Sequence, residues 1–168
     1  MFEPGTIWAY PTDTSFGLGA RCDDPVSLDR LKVLKNRPDE KYFSLMVRDW
    51  EMLQKYAIVP EGMSEHWFLE SPKTALLTPT AQLPLSNFWP ADKVAFRICT
   101  VPAVAKHIVV PVTATSANIS GECPVFCIQN LFDNFGSSIQ IYAQSGDLIA
   151  NNPSEIWDFT IAPAVQIR

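Results

Sequence analysis

Residues 10–19 read YPTDTSFGLG, and this stretch decides how the rest of the chain is interpreted. It concentrates two threonines, an aspartate, a serine, a proline and two glycines directly behind the apolar run at residues 6–9. A turn between a strand and a helix needs only about one hydroxyl and one glycine. We therefore expect residues 6–9 to form a strand, and we expect the polar stretch behind it to bind a ligand.

The composition is that of an ordinary globular domain. Of the 168 residues, 47% are hydrophobic and 18% are charged, as is usual for soluble proteins. No apolar run reaches the roughly 20 residues that a membrane helix needs, and the first residues show no secretory signal. The four cysteines suit a reducing compartment. The sequence thus predicts one domain over residues 1–168, in the cytoplasm and without a membrane partner.

Predicted strands and helices alternate along the chain. Asp24 followed by Pro25 is typical of a helix N-cap with a first-turn proline, and predicts a helix over residues 25–35. We expect further helices or helical turns at residues 50–56, 61–69, 102–107 and 128–135. We expect further strands at residues 43–47, 74–78, 94–99, 109–115, 139–142 and 156–159. This order predicts an α/β fold around a mixed sheet.

Three polar segments carry groups that can bind phosphate or carboxylate oxygens. They are residues 10–19, KNRP at residues 35–38 and TATSANISG at residues 113–121. Each lies at the end of a predicted strand or helix, where side chains and backbone N–H groups can converge on a ligand. Hydroxyls and amides bind phosphate or carboxylate oxygens, and Lys35 and Arg37 add charge. Many donors without an evident nucleophile favour transfer chemistry that works by positioning and electrostatic stabilisation.

Two of these segments also have ordinary structural explanations. Thr115 to Asn118 is typical of a capped turn, and Lys35 and Arg37 suit the C-terminus of a helix. None of the three matches the phosphate-binding pattern Gly-x-x-x-x-Gly-Lys-Ser/Thr. The net charge of −5 gives no general affinity for nucleic acid. A local cationic pocket is still compatible with the five basic residues Arg30, Lys32, Lys35, Arg37 and Lys41.

Other candidate sites have weaker support. A zinc site at Cys123 and Cys127 lacks a matching pair of histidines. A Cys–His or Ser–His nucleophile would depend on His107 alone. Asp158 suits a ligand or metal contact and a loop cap equally well. The residues by themselves therefore indicate an α/β domain with a polar anion pocket.

Taken in this order, the segments resemble the YrdC-like family, whose members make threonylcarbamoyl-adenylate. The matching pieces are YPTDTSFGLG at residues 10–19, KNRP at 35–38, FSLMV at 43–47, VAFRI at 94–98, ATSANISGE at 114–122, PSEIWDFT at 153–160 and the final IR at 167–168. The resemblance implies a twisted open mixed sheet with flanking helices around a large, concave, cationic cavity. It also implies an enzyme that converts L-threonine, bicarbonate or CO2, and ATP into L-threonylcarbamoyl-adenylate and pyrophosphate for tRNA modification.

The resemblance further implies a role for each matching residue. Thr12, Arg97 and Thr115 would contact threonine. Lys35 and Arg37 would be catalytic and would spread the charge of the leaving pyrophosphate, together with Mg2+ bound through the nucleotide. The ATP-binding residues would be Arg37, Lys41, Thr74, Ser116, Asn118 and Arg168. No resident metal site is expected.

The resemblance leaves two other functions open. Ser71-Pro72-Lys73 stands where the family has Pro-Gly-Pro, which is compatible with a non-catalytic paralogue that binds nucleotide or double-stranded RNA. Its RNA binding should fall steeply with salt. A related domain also occurs in longer hydrogenase-maturation carbamoyltransferases. For a synthase, the implied partners are tRNA or double-stranded RNA and the proteins that transfer threonylcarbamoyl to tRNA.

Overall fold

The structure is a computed structural model that describes residues 1–38, 41–84, 88–142 and 146–168. Its helices are α1 (Pro25–Leu34), α2 (Trp50–Tyr56), α3 (Glu65–Leu69), α4 (Pro102–Ala105) and α5 (Ile128–Phe135). Its strands are β1 (Trp8–Pro11), β2 (Phe16–Gly19), β3 (Leu45–Val47), β4 (Ala57–Ile58), β5 (Lys73–Pro79), β6 (Val94–Ile98), β7 (Val112–Thr113), β8 (Thr115–Ser116), β9 (Gln140–Ile141), β10 (Glu155–Asp158) and β11 (Val165–Gln166). None of the helices in the described ranges is long and apolar enough to cross a bilayer.

The strand expected at residues 6–9 is β1 (Trp8–Pro11), and it forms a β-hairpin with β2, a strand that the sequence did not predict. Strands β1 and β2 pair antiparallel, with Tyr10 opposite Gly17. Glycine is depleted from strands, so FGLG gives little strand signal in the sequence. A Cβ atom on Gly19 would lie 2.6 Å from Tyr10 Cε1 and 2.8 Å from Phe2 Cε1. Glycine is thus required here because two buried aromatic rings pack directly on the strand.

The strands form two mixed sheets, whereas the sequence predicts a single mixed sheet. The smaller sheet has the order β8-β2-β1-β9, and in it β1 pairs antiparallel with β2 and parallel with β9. The larger sheet has the order β11-β10-β5-β6-β3-β7, and β4 also pairs with β5. Helix α2 contacts β3 and β6, and α3 contacts β5 and β6. Both helices therefore pack on the larger sheet.

The two sheets meet where the chain passes from β7 into β8. The Tyr10 hydroxyl of the smaller sheet donates to the Thr113 carbonyl of the larger one over 2.7 Å. The Thr113 hydroxyl donates to the Leu18 carbonyl and accepts from the Ala20 N–H. Tyr10 and Thr113 are fully buried. These hydrogen bonds satisfy polar groups in the core, and they fix one sheet against the other.

Helix α1 begins as the sequence predicts and directs Lys35 towards β8. The Asp24 carboxylate accepts from the Ser27 N–H over 3.1 Å, which confirms the N-cap. The helix ends at Leu34, one residue before the predicted end. Lys35 caps it, and Asn36 follows with a left-handed φ of 48°. This turn at the helix end directs the following residues away from the helix axis.

Candidate functional site

The hydroxyl of Thr12 closes the turn of the β1–β2 hairpin. Its Oγ1 donates to the Ser15 carbonyl over 2.8 Å and accepts from the N–H groups of Thr14 and Ser15. The Thr14 hydroxyl lies 3.1 Å from the same oxygen. The hydroxyl-rich sequence therefore serves first to hold a tight turn. The hydroxyl that closes the turn belongs to Thr12, for which the resemblance implies a threonine contact.

Arg97 of β6 holds this turn on the larger sheet. Its Nη2 donates to Asp13 Oδ1 over 2.5 Å. Arg97 is buried, and its Nε has no hydrogen-bond partner among the described residues. The Asn151 side chain donates to the Asp13 carbonyl over 3.0 Å, so the loop before β10 also holds the turn. Asp13 and Asn151 are contacts that the sequence did not assign.

Thr74 lies beside Arg97 on the same sheet. Ala75 of β5 pairs with Phe96 of β6 in an antiparallel register, and one further step along it places Thr74 opposite Arg97. Directly opposite residues of neighbouring strands point to the same face of a sheet. A residue predicted on the nucleotide side thus lies next to one predicted on the threonine side.

Ser154 links Thr74 to the last residue of the chain. The hydroxyls of Thr74 and Ser154 are 2.9 Å apart and buried. Arg168 donates to the Ser154 carbonyl from Nε over 3.1 Å and from Nη2 over 3.0 Å. Two predicted ATP-binding residues, Thr74 and Arg168, are therefore joined by a serine that the sequence did not single out. Ser154 lies in the matching segment PSEIWDFT, which was the only signal for it.

Lys35 connects the KNRP segment to the TSAN segment, which is residues 115–118 within TATSANISG. Its Nζ donates to the carbonyls of Ser116 and Asn118 over 2.5 and 2.6 Å. The side chain is 1% exposed. Burial, together with the charge of Arg37, lowers the pKa of Lys35 to about 8. Lys35 thus holds two backbone carbonyls of the loop, and its ammonium group is no longer a simple surface charge.

The TSAN segment lies against the hairpin. Strand β8 pairs with β2, with Ser116 opposite Gly17 and Thr115 opposite Leu18. The Asn118 amide donates to the carbonyls of Ile119 and Glu122, both over 2.8 Å. The side-chain amide hydrogens of Asn118 therefore shape the loop itself.

Arg37 is a cation fixed by its neighbours. Its Nε donates to the Lys41 carbonyl over 2.8 Å, and its Nη2 donates to the Tyr42 carbonyl over 2.5 Å. The guanidinium lies 4.8 Å from the centre of the Phe43 ring, a cation–π geometry. Burial lowers the pKa of Arg37. The Lys41 side chain, in contrast, is exposed.

The remaining candidates lie outside this network. Asp158 accepts from both the N–H and the hydroxyl of Thr160 and forms an ion pair with Lys93, so it caps a loop. Cys123 and Cys127 are free thiols, and the described ranges contain no group of three or more metal-binding side chains. A cleft of about 380 Å³ is lined by Ile7, Asp29, Arg30, Val33, Leu34 and Ser138, and it shares no lining residue with the network.

Both a protein-family model and a curated relative match nearly the whole chain. The family model Sua5_yciO_yrdC, described as "Telomere recombination", matches residues 1–168. The threonylcarbamoyl-AMP synthase of Mannheimia succiniciproducens is 32% identical over 161 residues, which cover 90% of this chain and 87% of the relative.

Solved structures agree on the fold. The structure of P. abyssi Sua5 complexed with L-threonine matches with a TM-score of 0.84 at 26% identity, over 98% of this chain. The match covers 50% of the Sua5 chain, so this chain spans about half its length. E. coli YciO matches with a TM-score of 0.80 at 22% identity, over 98% of this chain and 82% of YciO. The expected α/β fold with mixed sheets is thereby confirmed.

Proposed function

Because the chain belongs to the Sua5/YciO/YrdC family, we propose that it is a threonylcarbamoyl-AMP synthase. It converts L-threonine, bicarbonate or CO2, and ATP into L-threonylcarbamoyl-adenylate and pyrophosphate. The observation that carries this proposal is that Arg97 and the polar segment at residues 113–121 contact the β1–β2 hairpin, and Lys35 of the KNRP segment binds the segment at 113–121. Arg97 contacts the hairpin turn, β8 pairs with β2, and Lys35 binds the carbonyl of Ser116 in β8 and that of Asn118 just after it. The synthase name of the Mannheimia relative supports the same function.

In this proposal threonine binds at the hairpin turn, next to Thr12 and Thr115. The Thr12 hydroxyl closes the turn, and β8 places Thr115 opposite Leu18 of β2, the strand that leads out of the turn. A turn closed by its own hydrogen bonds loses little conformational entropy when it binds a small amino acid. The threonine amine attacks CO2 there, which forms a carbamate and releases one proton.

ATP binds along the TSAN segment and near Arg37, Lys41, Thr74 and Arg168. A carbamate oxygen attacks the α-phosphorus, and the bond from that phosphorus to pyrophosphate breaks. Arg37 and the Lys35 ammonium supply positive charge for the leaving group. Mg2+ would enter bound through the nucleotide and would offset the negative charge of its phosphates.

Pyrophosphate release tests the proposal. Purified protein is incubated with MgATP alone, with L-threonine, with bicarbonate, and with both. We expect release only when both are present, and a product with the mass of threonylcarbamoyl-adenylate. Release without threonine, or no release under any condition, would refute the synthase assignment.

Arg37→Ala tests the nucleotide side of the site. Removing a fixed, partly buried cation should lower kcat by about 10²- to 10³-fold, which corresponds to ~2.7–4 kcal/mol. Arg21→Ala is the matched control, because Arg21 pairs with Asp23 outside the polar network. Equal turnover in the two variants would remove Arg37 from the catalytic group.

The product serves the formation of threonylcarbamoyladenosine in tRNA, with separate transfer proteins as partners. This part of the proposal includes a cytoplasmic location, one domain over residues 1–168, and tRNA or double-stranded RNA as a possible ligand. The alternative of a non-catalytic RNA-binding member has weaker support, because the relatives carry the name of a synthase. Titration of RNA at rising salt tests RNA as a ligand, since binding through a basic face falls steeply with salt, and pyrophosphate release distinguishes the synthase from a non-catalytic member.

A further inference from the structure

Arg97 is a buried cation that is held by a carboxylate of the hairpin turn. Its side chain is 10% exposed, and its Nη2 donates to Asp13 Oδ1 over 2.5 Å. Its Nε is buried and has no hydrogen-bond partner among the described residues. A guanidinium carries several N–H donors in one rigid plane. The bond to Asp13 therefore fixes one nitrogen of that plane, while another donor still lacks an acceptor in the described part of the chain.

Asp13 is itself held in place through its backbone. The Asn151 side chain donates to the Asp13 carbonyl over 3.0 Å. Within the turn, the hydroxyl of Thr12 accepts from the N–H groups of Thr14 and Ser15, the two residues that follow Asp13. Asp13 thus lies inside a closed turn that is also tied to the loop before β10. Such a backbone restricts the positions that the carboxylate can take, so it can hold the guanidinium in one orientation.

The pair also spans the two sheets. Asp13 lies in the turn between β1 and β2 of the smaller sheet, and Arg97 lies on β6 of the larger one. A long arginine side chain loses conformational entropy when a ligand has to order it. Here Asp13 orders it before a ligand binds, so less of the binding free energy is lost to ordering the side chain.

We propose that Asp13 is a positioning residue that orients the Arg97 guanidinium for the carboxylate of the amino-acid substrate, and that Asn151 keeps Asp13 in place. This inference rests on the proposed function, in which Arg97 contacts threonine, and adds residues that act through Arg97. An ionised carboxylate donates no hydrogen bond. Asp13 therefore cannot bind the substrate carboxylate itself, and its effect on that group passes through the arginine.

Ligand binding tests the proposal without the need for turnover. The two ligands are L-threonine and L-threoninamide, in which a neutral amide replaces the carboxylate, and their Kd values are measured by ligand-observed NMR. Asp13→Ala removes the acceptor from Arg97, whereas Asp13→Asn keeps an oxygen there and loses the charge. Asp23→Ala is the matched control, because Asp23 is also paired with an arginine but lies outside the polar network.

We expect Asp13→Ala to raise the threonine Kd by about tenfold, the effect of weakening one charge-assisted hydrogen bond. The Kd of threoninamide should stay within about twofold of its wild-type value, because threoninamide has no carboxylate for Arg97 to bind. Asp13→Asn should lose less threonine affinity than Asp13→Ala, since an oxygen still accepts from Nη2. Asp23→Ala should change neither Kd.

A double-mutant cycle with Arg97→Ala shows whether Asp13 acts through the arginine. In the Arg97→Ala background, Asp13→Ala should change the threonine Kd by less than about twofold, because the group that it orients is already gone. Asn151→Ala should give a smaller loss than Asp13→Ala with the same preference for threonine over threoninamide. It decides the matter if Asp13→Ala does not fold.

Three results would overturn the positioning role. They are unchanged threonine binding in Asp13→Ala, an equal loss for both ligands, and a full loss from Asp13→Ala in the Arg97→Ala background. The last two would mean that Asp13 acts on the shape of the turn and not on the guanidinium. Absence of threonine binding in the wild type would instead overturn the proposed function, and this inference with it.

Discussion

Lys35 shows how strongly its surroundings change the chemistry of a single residue. A lysine at the end of a helix normally remains in water, but this one is buried and bonds two carbonyls. Burial disfavours its charged form, and the nearby charge of Arg37 adds to the effect. With a pKa of about 8, Lys35 is mostly charged at neutral pH and loses its proton as the pH rises through that pKa.

We predict that ATP affinity falls as the pH rises through the pKa of Lys35. The group is protonated below pH about 8 and attracts phosphate, and it loses this attraction above that value. Affinity should drop by about tenfold between pH ~7 and ~9, as expected for loss of a charged donor. Calorimetric titration of wild type and Lys35→Met over this range checks the prediction. The variant should bind weakly at every pH without the inflection, and an identical midpoint in both proteins would assign the titration to another group.

The β1–β2 hairpin is the element on which the site depends, and its glycines are part of its packing. A Cβ on Gly17 would lie 3.2 Å from Tyr10 Cζ, which is tight but adjustable. A Cβ on Gly19 would lie 2.6 Å from Tyr10 Cε1 and 2.8 Å from Phe2 Cε1. Because Tyr10 and Phe2 are buried, their rings cannot move into solvent. The hairpin therefore tolerates a methyl group at one glycine better than at the other.

We predict that Gly19→Ala lowers the free energy of unfolding by about 1–3 kcal/mol, the usual cost of overpacking a core. Gly17→Ala is the graded control, and it should cost clearly less because its closest contact is 0.6 Å longer (3.2 against 2.6 Å). Urea denaturation followed by circular dichroism measures both values. The packing argument fails if Gly17→Ala proves the more destabilising substitution.

The helices and strands also show which structural features can be predicted from the sequence. Helices α2 and α5 have the predicted bounds, Trp50–Tyr56 and Ile128–Phe135, and the N-cap of α1 is as predicted. Caps and helical periodicity are local signals. Strand β2 was not predicted, because its glycines are required by the packing of the Tyr10 and Phe2 rings, which no local sequence pattern shows. The strand expected at residues 109–115 is two short strands, β7 and β8, that belong to different sheets.

The same limit applies to the site. The sequence identified the polar segments, but the partner of each side chain depends on tertiary contacts. Lys35 and the Ser116 carbonyl are 81 residues apart, and Arg97 and Asp13 are 84 apart. No local pattern encodes such pairs. The roles of Thr12, Arg97 and the other site residues remain predictions.

At the scale of the whole molecule, the two sheets are joined through residues 112–116. Strand β7 belongs to the larger sheet and β8 to the smaller, and only Ala114 separates them. The Ala114 N–H donates to the Ser44 carbonyl, and the Thr113 N–H donates to the Ala20 carbonyl. The buried Tyr10–Thr113 hydrogen bond spans the same junction. Because these hydrogen bonds join the two sheets through buried residues, we infer that the sheets unfold as one cooperative unit.

Tyr10→Phe tests this inference. It removes a buried donor from the Thr113 carbonyl and leaves the ring in place, which should cost about 1–3 kcal/mol. Native-state hydrogen exchange reports the free energy of opening at amides of β1 and β2 and at amides of β5 and β6. We expect the substitution to lower the free energy of opening by the same amount in both sets of amides. Tyr42→Phe, at an exposed tyrosine, is the matched control and should change neither set. If only β1 and β2 lose protection, the smaller sheet opens independently, and the site can come apart while the larger sheet stays folded.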